Sequence, residues 1–229
     1  MAEPLRVSAG SLTMIKIALI HAVQAAMAPV QAAFLELWPE ARTTNLLDDS
    51  LSSDRESAAQ LTPQLSNRIV SLADYASSSG VDGILYTCSA FGAAIEAAAR
   101  KLTIPVLKPN EAMFNAALDI GGRVGMLATF APAVASMEEE FHDLAAQRQV
   151  EATLETFCVA GARDALVAKD IDKHDRLIAE AAPTLKSCSV IMLAHFSMAT
   201  AVRKAAAMAP MPVLAAPSAA VRALRSRLA

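Results

Sequence analysis

Glycine is scarce in this chain, eight among 229 residues, and the shortage removes several chemistries at once. A phosphate cradle built from backbone amides needs closely spaced glycines, and neither the Gly-x-Gly-x-x-Gly fingerprint nor a P-loop occurs. The nucleophile elbow Gly-x-Ser-x-Gly and the paired-histidine helix of metalloproteases are also missing. Aromatics supply only 4% of the residues, and 20 scattered Lys and Arg face 23 Asp and Glu. Stacking platforms and basic stripes are therefore lacking, which argues against a nucleic-acid partner. Apolar runs such as 190–194 are strand-sized, far short of the roughly 20 residues a membrane span needs. Residues 1–14 carry one Arg and no apolar core of signal-peptide length. Three cysteines, at 88, 158 and 188, are odd in number and lack metal-type spacing. A cytoplasmic setting with reduced thiols, no membrane, no metal and no cofactor is the resulting expectation.

What the chain does have is apolar material, 54% of its residues, enough for one large domain or two lobes. Short β-rich runs at 15–20, 43–47, 83–86, 106–108, 123–128, 155–159, 190–193 and 213–215 alternate with Ala-rich helical stretches. Those helices are expected at 26–38, 54–78, 89–101, 110–119, 132–148, 169–185 and 197–208. The alternation is that of parallel strands joined by crossover helices, an α/β fold.

An ungapped offset of 107 residues (212 − 105) superposes two of these units. Ile84 meets Ile191, Ala94 meets Ala201, Ile95 meets Val202, and Pro105-Val106-Leu107 meets Pro212-Val213-Leu214. The alanine content and shared architecture account for part of the match; an internal duplication accounts for the rest. It implies two pseudo-symmetric, flavodoxin-like lobes with parallel sheets and a cleft between them. The first lobe is expected to comprise 15–115 plus 213–229, the second 116–212. Ligands of parallel sheets bind beyond the carboxyl ends of the strands, so the turns that close the cleft hold the candidate chemistry.

Cys88 in Thr87-Cys88-Ser89-Ala90 sits where a strand gives way to a helix. Amides there attract an anion, and the local positive field lowers a thiol pKa, to roughly 3.5–7.5 in favourable cases. Thr87, Ser89 and Ala90 are candidates to cradle a carboxylate; the alternative is that Cys88 is a small buried apolar residue. The offset sets His195, in Ala194-His195-Phe196, opposite Cys88 as a general acid/base or as a structural hydrogen-bonder. Thr129 and Phe130 follow the 123–128 strand, Thr129 as a cleft hydroxyl or as the cap of a helix for whose start Pro132 is suited. His21 ends the first strand. Asp49 and Ser50 leave the second, as lining residues or helix caps. His142 and His174 read as solvated surface groups, and Cys158 and Cys188 as packing residues.

At Gly83-Ile-Leu-Tyr-Thr-Cys-Ser-Ala, Arg123-Val-Gly-Met-Leu-Ala-Thr and Val190-Ile-Met-Leu-Ala-His-Phe the chain resembles the aspartate/glutamate/hydantoin racemase superfamily. Arylmalonate decarboxylase and maleate cis-trans isomerase belong there too. The resemblance spans about 15–217. It implies two lobes that enclose a small carboxylate-bearing substrate, a cofactor-independent enzyme, and a homodimer. It also implies two cysteines exchanging a proton beside a carboxylate. Cys88 matches the first, Ser89 and Ala90 the residues that hold the carboxylate, and Thr129 the family's later threonine. The second cysteine is absent, its place falling at Ala194 or His195. The sequence therefore points to an isomerase or lyase with Cys88 and His195 as catalytic residues. Thr87, Ser89, Ala90, Thr129, Phe130, His21, Asp49, Ser50 and Phe196 are the binding candidates. Two alternatives stand beside it: Cys88 as a nucleophile, as in maleate-type isomerisation or hydrolysis, or a non-catalytic binder of small acids.

Overall fold

A computed structural model describes residues 14–228; the reading of residues 1–13 as lacking a leader lies outside the described residues. The strands β1 (Lys16–His21), β3 (Gly83–Tyr86), β5 (Arg123–Ala128) and β7 (Val190–Leu193) are almost wholly enclosed. That fits their nearly unbroken apolar sequences, because a parallel strand covered by helices on both faces alternates little. The more polar β2 (Arg42–Leu47) and β6 (Thr153–Cys158) lie at sheet edges, as do the short β4 (Val106–Leu107) and β8 (Val213–Ala215). Two four-stranded, all-parallel sheets result, in the order β2-β1-β3-β4 and β6-β5-β7-β8. The 107-residue offset carries β1 onto β5 and β3 onto β7. The two-lobe α/β architecture is thus present, with the same strand order in each half.

The helices are α1 (Met27–Leu37), α2 (Ser50–Ser57), α3 (Pro63–Ser78), α4 (Gly92–Lys101), α5 (Glu111–Ile120), α6 (Ala131–Gln147), α7 (Ala162–Val167), α8 (Ile171–Ala181), α9 (Val202–Met208) and α10 (Ala216–Leu228). The single helix expected over 54–78 is two. Pro63 has no N–H to donate and disfavours helical geometry at Thr62, so the chain breaks there. Thr62 instead caps α3, its hydroxyl accepting from Leu65 N–H at 3.2 Å. The helix expected over 169–185 starts at Ile171, where the Asp170 side chain accepts from Lys173 N–H, and tightens to a 3-10 turn around Pro183. Neither α7 nor α10 was anticipated.

The strand at 213–215, assigned from sequence to the first lobe, pairs with β7 and so completes the second sheet. Only α10 beyond it returns to the first lobe, where it packs on α1 and β3. An added Cβ at Gly83 would meet Leu228 at 3.1 Å and Leu224 at 3.2 Å, so that glycine is what lets the helix approach the strand. In the same way α5, which follows the last strand of the first sheet, packs on β7 and β8 of the second. Each half thus lends its last helix to the other. The two exchanged helices touch, with Arg227 paired to Glu111 at 2.8 Å. The boundary expected between residues 115 and 116 falls inside α5. Among the described residues no helix is long and apolar enough to cross a membrane.

Candidate active site

The carboxyl ends of β1, β3, β5 and β7 meet between the lobes around a cavity of about 60 Å³. From the first lobe it is lined by Val23, Ala26, Ser52, Thr87, Cys88 and Ser89; from the second by Thr129, Phe130, Arg163, Leu166, His195, Phe196 and Ser197. An outer groove of about 590 Å³ adjoins it, sharing Val23, Ser52, Arg163 and Leu166 and adding Asp49, Val167, Lys169 and Ile171 among others.

Cys88 stands between β3 and a 3-10 turn, Ser89–Phe91, that leads into α4. Its sulfur receives the Ala90 N–H, and the charges of Arg163 and Arg55 favour the thiolate, yet burial outweighs all three and pushes the thiol up to about 11. The low pKa expected of a cysteine at this kind of turn is not realised. The field of a three-residue 3-10 turn does not offset loss of solvent. Cys88 rests as a neutral thiol.

His195 occupies the equivalent turn of the second lobe, before the 3-10 run Phe196–Ala201. Its Nε2 accepts the Phe130 backbone N–H at 3.2 Å. An amide can only donate, so the ring proton resides on Nδ1, which lies 3.2 Å from Ser89 Oγ. Burial, reinforced by the nearby charges of Arg163 and His174, lowers the imidazole to about 4. His195 is therefore neutral and engaged at both nitrogens. An acid/base role expected from its position does not follow from its bonding; the residue ties the Cys88 turn to the second lobe.

The remaining candidates divide by position. Thr87, Ser89, Thr129, Phe130 and Phe196 line the cavity with Cys88 and His195. Phe130, not Thr129, occupies the residue before α6. Ala90 lies behind the wall, its N–H on the sulfur and its carbonyl accepting from Arg55 Nε at 3.4 Å. His21 is not in the wall. It is buried behind it, bonded to Thr87 Oγ1 at 2.8 Å and Asn45 Oδ1 at 2.9 Å, so that Thr87 stands between it and the cavity. Burial lowers its pKa, partly opposed by the Asn45 bond. Asp49 faces only the outer groove and makes no side-chain capping bond to α2. Ser50, whose hydroxyl meets Asp48 and Arg68, lines neither space. His142 is exposed as expected, whereas His174 is fully buried under the 196–201 turn. Cys188 packs inside; Cys158, at the outward end of an edge strand, is exposed.

Two arginines escaped the sequence reading. Arg163 lies in α7, which begins after Gly161 with φ at 74°, a left-handed conformation that favours glycine. Its guanidinium sits 4.2 Å over the Phe130 ring and 2.7 Å from Glu56 Oε2 of the facing lobe. The available signal was an arginine just beyond the carboxyl end of β6. Arg55, buried, donates to the carbonyls of Ala90, Ala58 and Pro132 and so joins the lobes beside the thiol. Its place in the charged run Asp54-Arg55-Glu56 carries no signal of burial.

Two parallel α/β lobes closing on a small cavity, with a thiol at one strand-end turn and an imidazole at its counterpart, define a small-molecule site built by paired half-domains. The family model for Asp/Glu/Hydantoin racemase matches residues 18–223, and the chain belongs to that family. Among solved structures it is similar to glutamate racemase from Francisella tularensis in complex with D-glutamate, at 12% identity and TM-score 0.71, covering 94% of this chain and 81% of that one. Allantoin racemase from Pseudomonas fluorescens aligns at 19% identity and TM-score 0.67, covering 93% and 90%. An arylmalonate decarboxylase variant aligns at 17% identity and TM-score 0.63, covering 93% and 92%. These likenesses establish the fold. No curated protein matches the sequence significantly.

Proposed function

We propose that this chain is a one-thiol, cofactor-independent enzyme of the lyase branch, protonating one face of a small carboxylate-stabilised carbanion. The observation that carries the reading is the unequal pair of turns. Cys88 is a neutral thiol at the cavity wall, while the opposing His195 is neutral with both nitrogens already bonded. Inverting a carbon needs a proton carrier on each face; a single protonation needs one.

In the step proposed, a substituted malonate lies with its carboxylates against Ser89, Thr129, Ser197 and Arg163. The bond from the central carbon to one carboxylate breaks and carbon dioxide leaves. The electron pair enters the remaining carboxylate as an enediolate. Cys88 S–H then delivers its proton to the carbon, and the thiolate recovers a proton from water. The Ala90 N–H and the charges of Arg55 and Arg163 favour that transient thiolate. Such an acid contributes about 10²–10⁴-fold, leaving the rest to positioning and to stabilisation of the enediolate. The thiol's raised pKa suits a proton donor and speaks against Cys88 as a standing nucleophile. A cytoplasmic location, where thiols stay reduced, accords with this use.

The test is turnover of phenylmalonate and other monosubstituted malonates in D₂O, with aspartate, glutamate and allantoin alongside. Carbon dioxide release with one deuterium in one product enantiomer is expected, abolished in Cys88→Ala at unchanged melting temperature. Full activity of Cys88→Ala, or racemisation of any of the three controls, would refute the one-thiol reading.

A further inference from the structure

Behind the His195 wall lies a buried polar group that the proposed chemistry leaves unused. His174 on α8 is fully enclosed, its Nδ1 lies 3.1 Å from Asp175 Oδ1, and its Nε2 has no hydrogen-bond partner among the described residues. Asp175, itself buried, accepts the Thr200 hydroxyl at the same oxygen, at 2.6 Å. Thr200 belongs to the 3-10 run Phe196–Ala201 that begins immediately after His195, and α8 packs against that run.

A 3-10 helix seldom exceeds three or four residues, because its hydrogen-bond geometry is poor. This one has six and needs support from outside. The matching turn in the first lobe, Ser89–Phe91, has three residues and passes directly into α4. The 107-residue offset sets Thr200, His174 and Asp175 against Ala93, Asn67 and Arg68, so the supporting set is peculiar to the lobe that carries the imidazole. An unpaired buried nitrogen is destabilising; packing alone does not account for a histidine there.

We propose that His174, Asp175 and Thr200 form a positioning unit that pins the long turn, and so holds His195 and Ser197 in the cavity wall facing Cys88. His174 N–H keeps the Asp175 carboxylate aimed at Thr200. The Thr200 bond secures the far end of the turn, whose near end is closed by Met198 N–H on the His195 carbonyl at 2.9 Å. The effect on catalysis rests on the one-thiol reading; the effect on His195 does not.

The experiment compares Thr200→Val, Thr200→Ser and Asp175→Asn in the full chain. The ¹⁵N resonances of His195 are read without substrate, kcat and KM are read with phenylmalonate, and the enantiomer ratio of the monodeuterated product is read with phenylmalonate in D₂O. Thr200→Val and Asp175→Asn are expected to replace the single Nδ1–H form of His195 by exchanging tautomers. They should also lower kcat about tenfold or more, with a smaller change in KM and eroded enantiomer ratio, and Thr200→Ser should restore all of these. Should both variants melt earlier yet keep wild-type His195 resonances, the unit is merely structural and the proposal is overturned. If the wild type leaves phenylmalonate untouched, the lyase reading fails by itself, while the His195 resonances still decide this one. If Asp175→Asn does not fold, Thr200→Val and its serine rescue decide it.

Discussion

Lowering the pH should destabilise this protein through His195 in particular. In the unfolded chain an imidazole takes up a proton near 6.5; in the folded chain His195 resists until about 4. The unfolded state therefore binds more protons across that interval. Stability is intact above about 6.5, falls as pH drops below it, and the contribution of this residue levels off below about 4. At about 1.4 kcal/mol for each tenfold change, the full interval corresponds to about 3 kcal/mol, and about 2–3 kcal/mol is reached by pH 4.5. His195→Gln removes the titration while offering a carbonyl to the Phe130 amide and an N–H to Ser89. Urea unfolding at pH 7, 5.5 and 4.5 should show the wild type losing about 2–3 kcal/mol more than His195→Gln. His21, also lowered by burial, adds a slope common to both proteins. Parallel curves for the two would refute the neutral, doubly bonded imidazole and the one-sided chemistry built on it.

Three further outcomes are expected. Alkylation by iodoacetamide at pH 8 should label exposed Cys158 well before Cys88. With the Cys88 thiol near 11, only roughly one molecule in 1,000 is a thiolate at that pH; peptide mass mapping against time checks it. Arg163→Met should raise KM for an anionic substrate by about tenfold to a hundredfold, the worth of a charged hydrogen bond, with less effect on kcat in steady-state assays. Gly125→Ala should cost about 1–3 kcal/mol in urea unfolding, since its Cβ would meet Leu185 Cδ1 at 3.0 Å and Cys188 Sγ at 3.2 Å.

Those parts of the molecule written in local pattern were legible beforehand. Central strands such as 190–193 declare themselves by apolar runs, and the repeat placed Cys88 and His195 at equivalent turns. Protonation states were not legible, because they depend on how much solvent the lobes exclude and on which amide reaches which nitrogen. The Phe130 N–H that fixes His195 comes from 65 residues away. Arg163 and Arg55 look like surface charges until α2 and α7 fold across the cleft. His174, within Asp172-Lys173-His174-Asp175, reads as solvent-facing, and only the packing of α8 on the 196–201 turn buries it. The break within 54–78 has a local cause, since Pro63 lacks an N–H and disfavours helical geometry at Thr62.

The reciprocal loan of α5 and α10 has a practical corollary. Neither half of the chain is a self-sufficient folding unit, and deleting the last dozen residues would strip a face from the sheet built by the first hundred. Two bodies so interlocked share one another's helices as well as the Arg163–Glu56 ion pair that spans the gap.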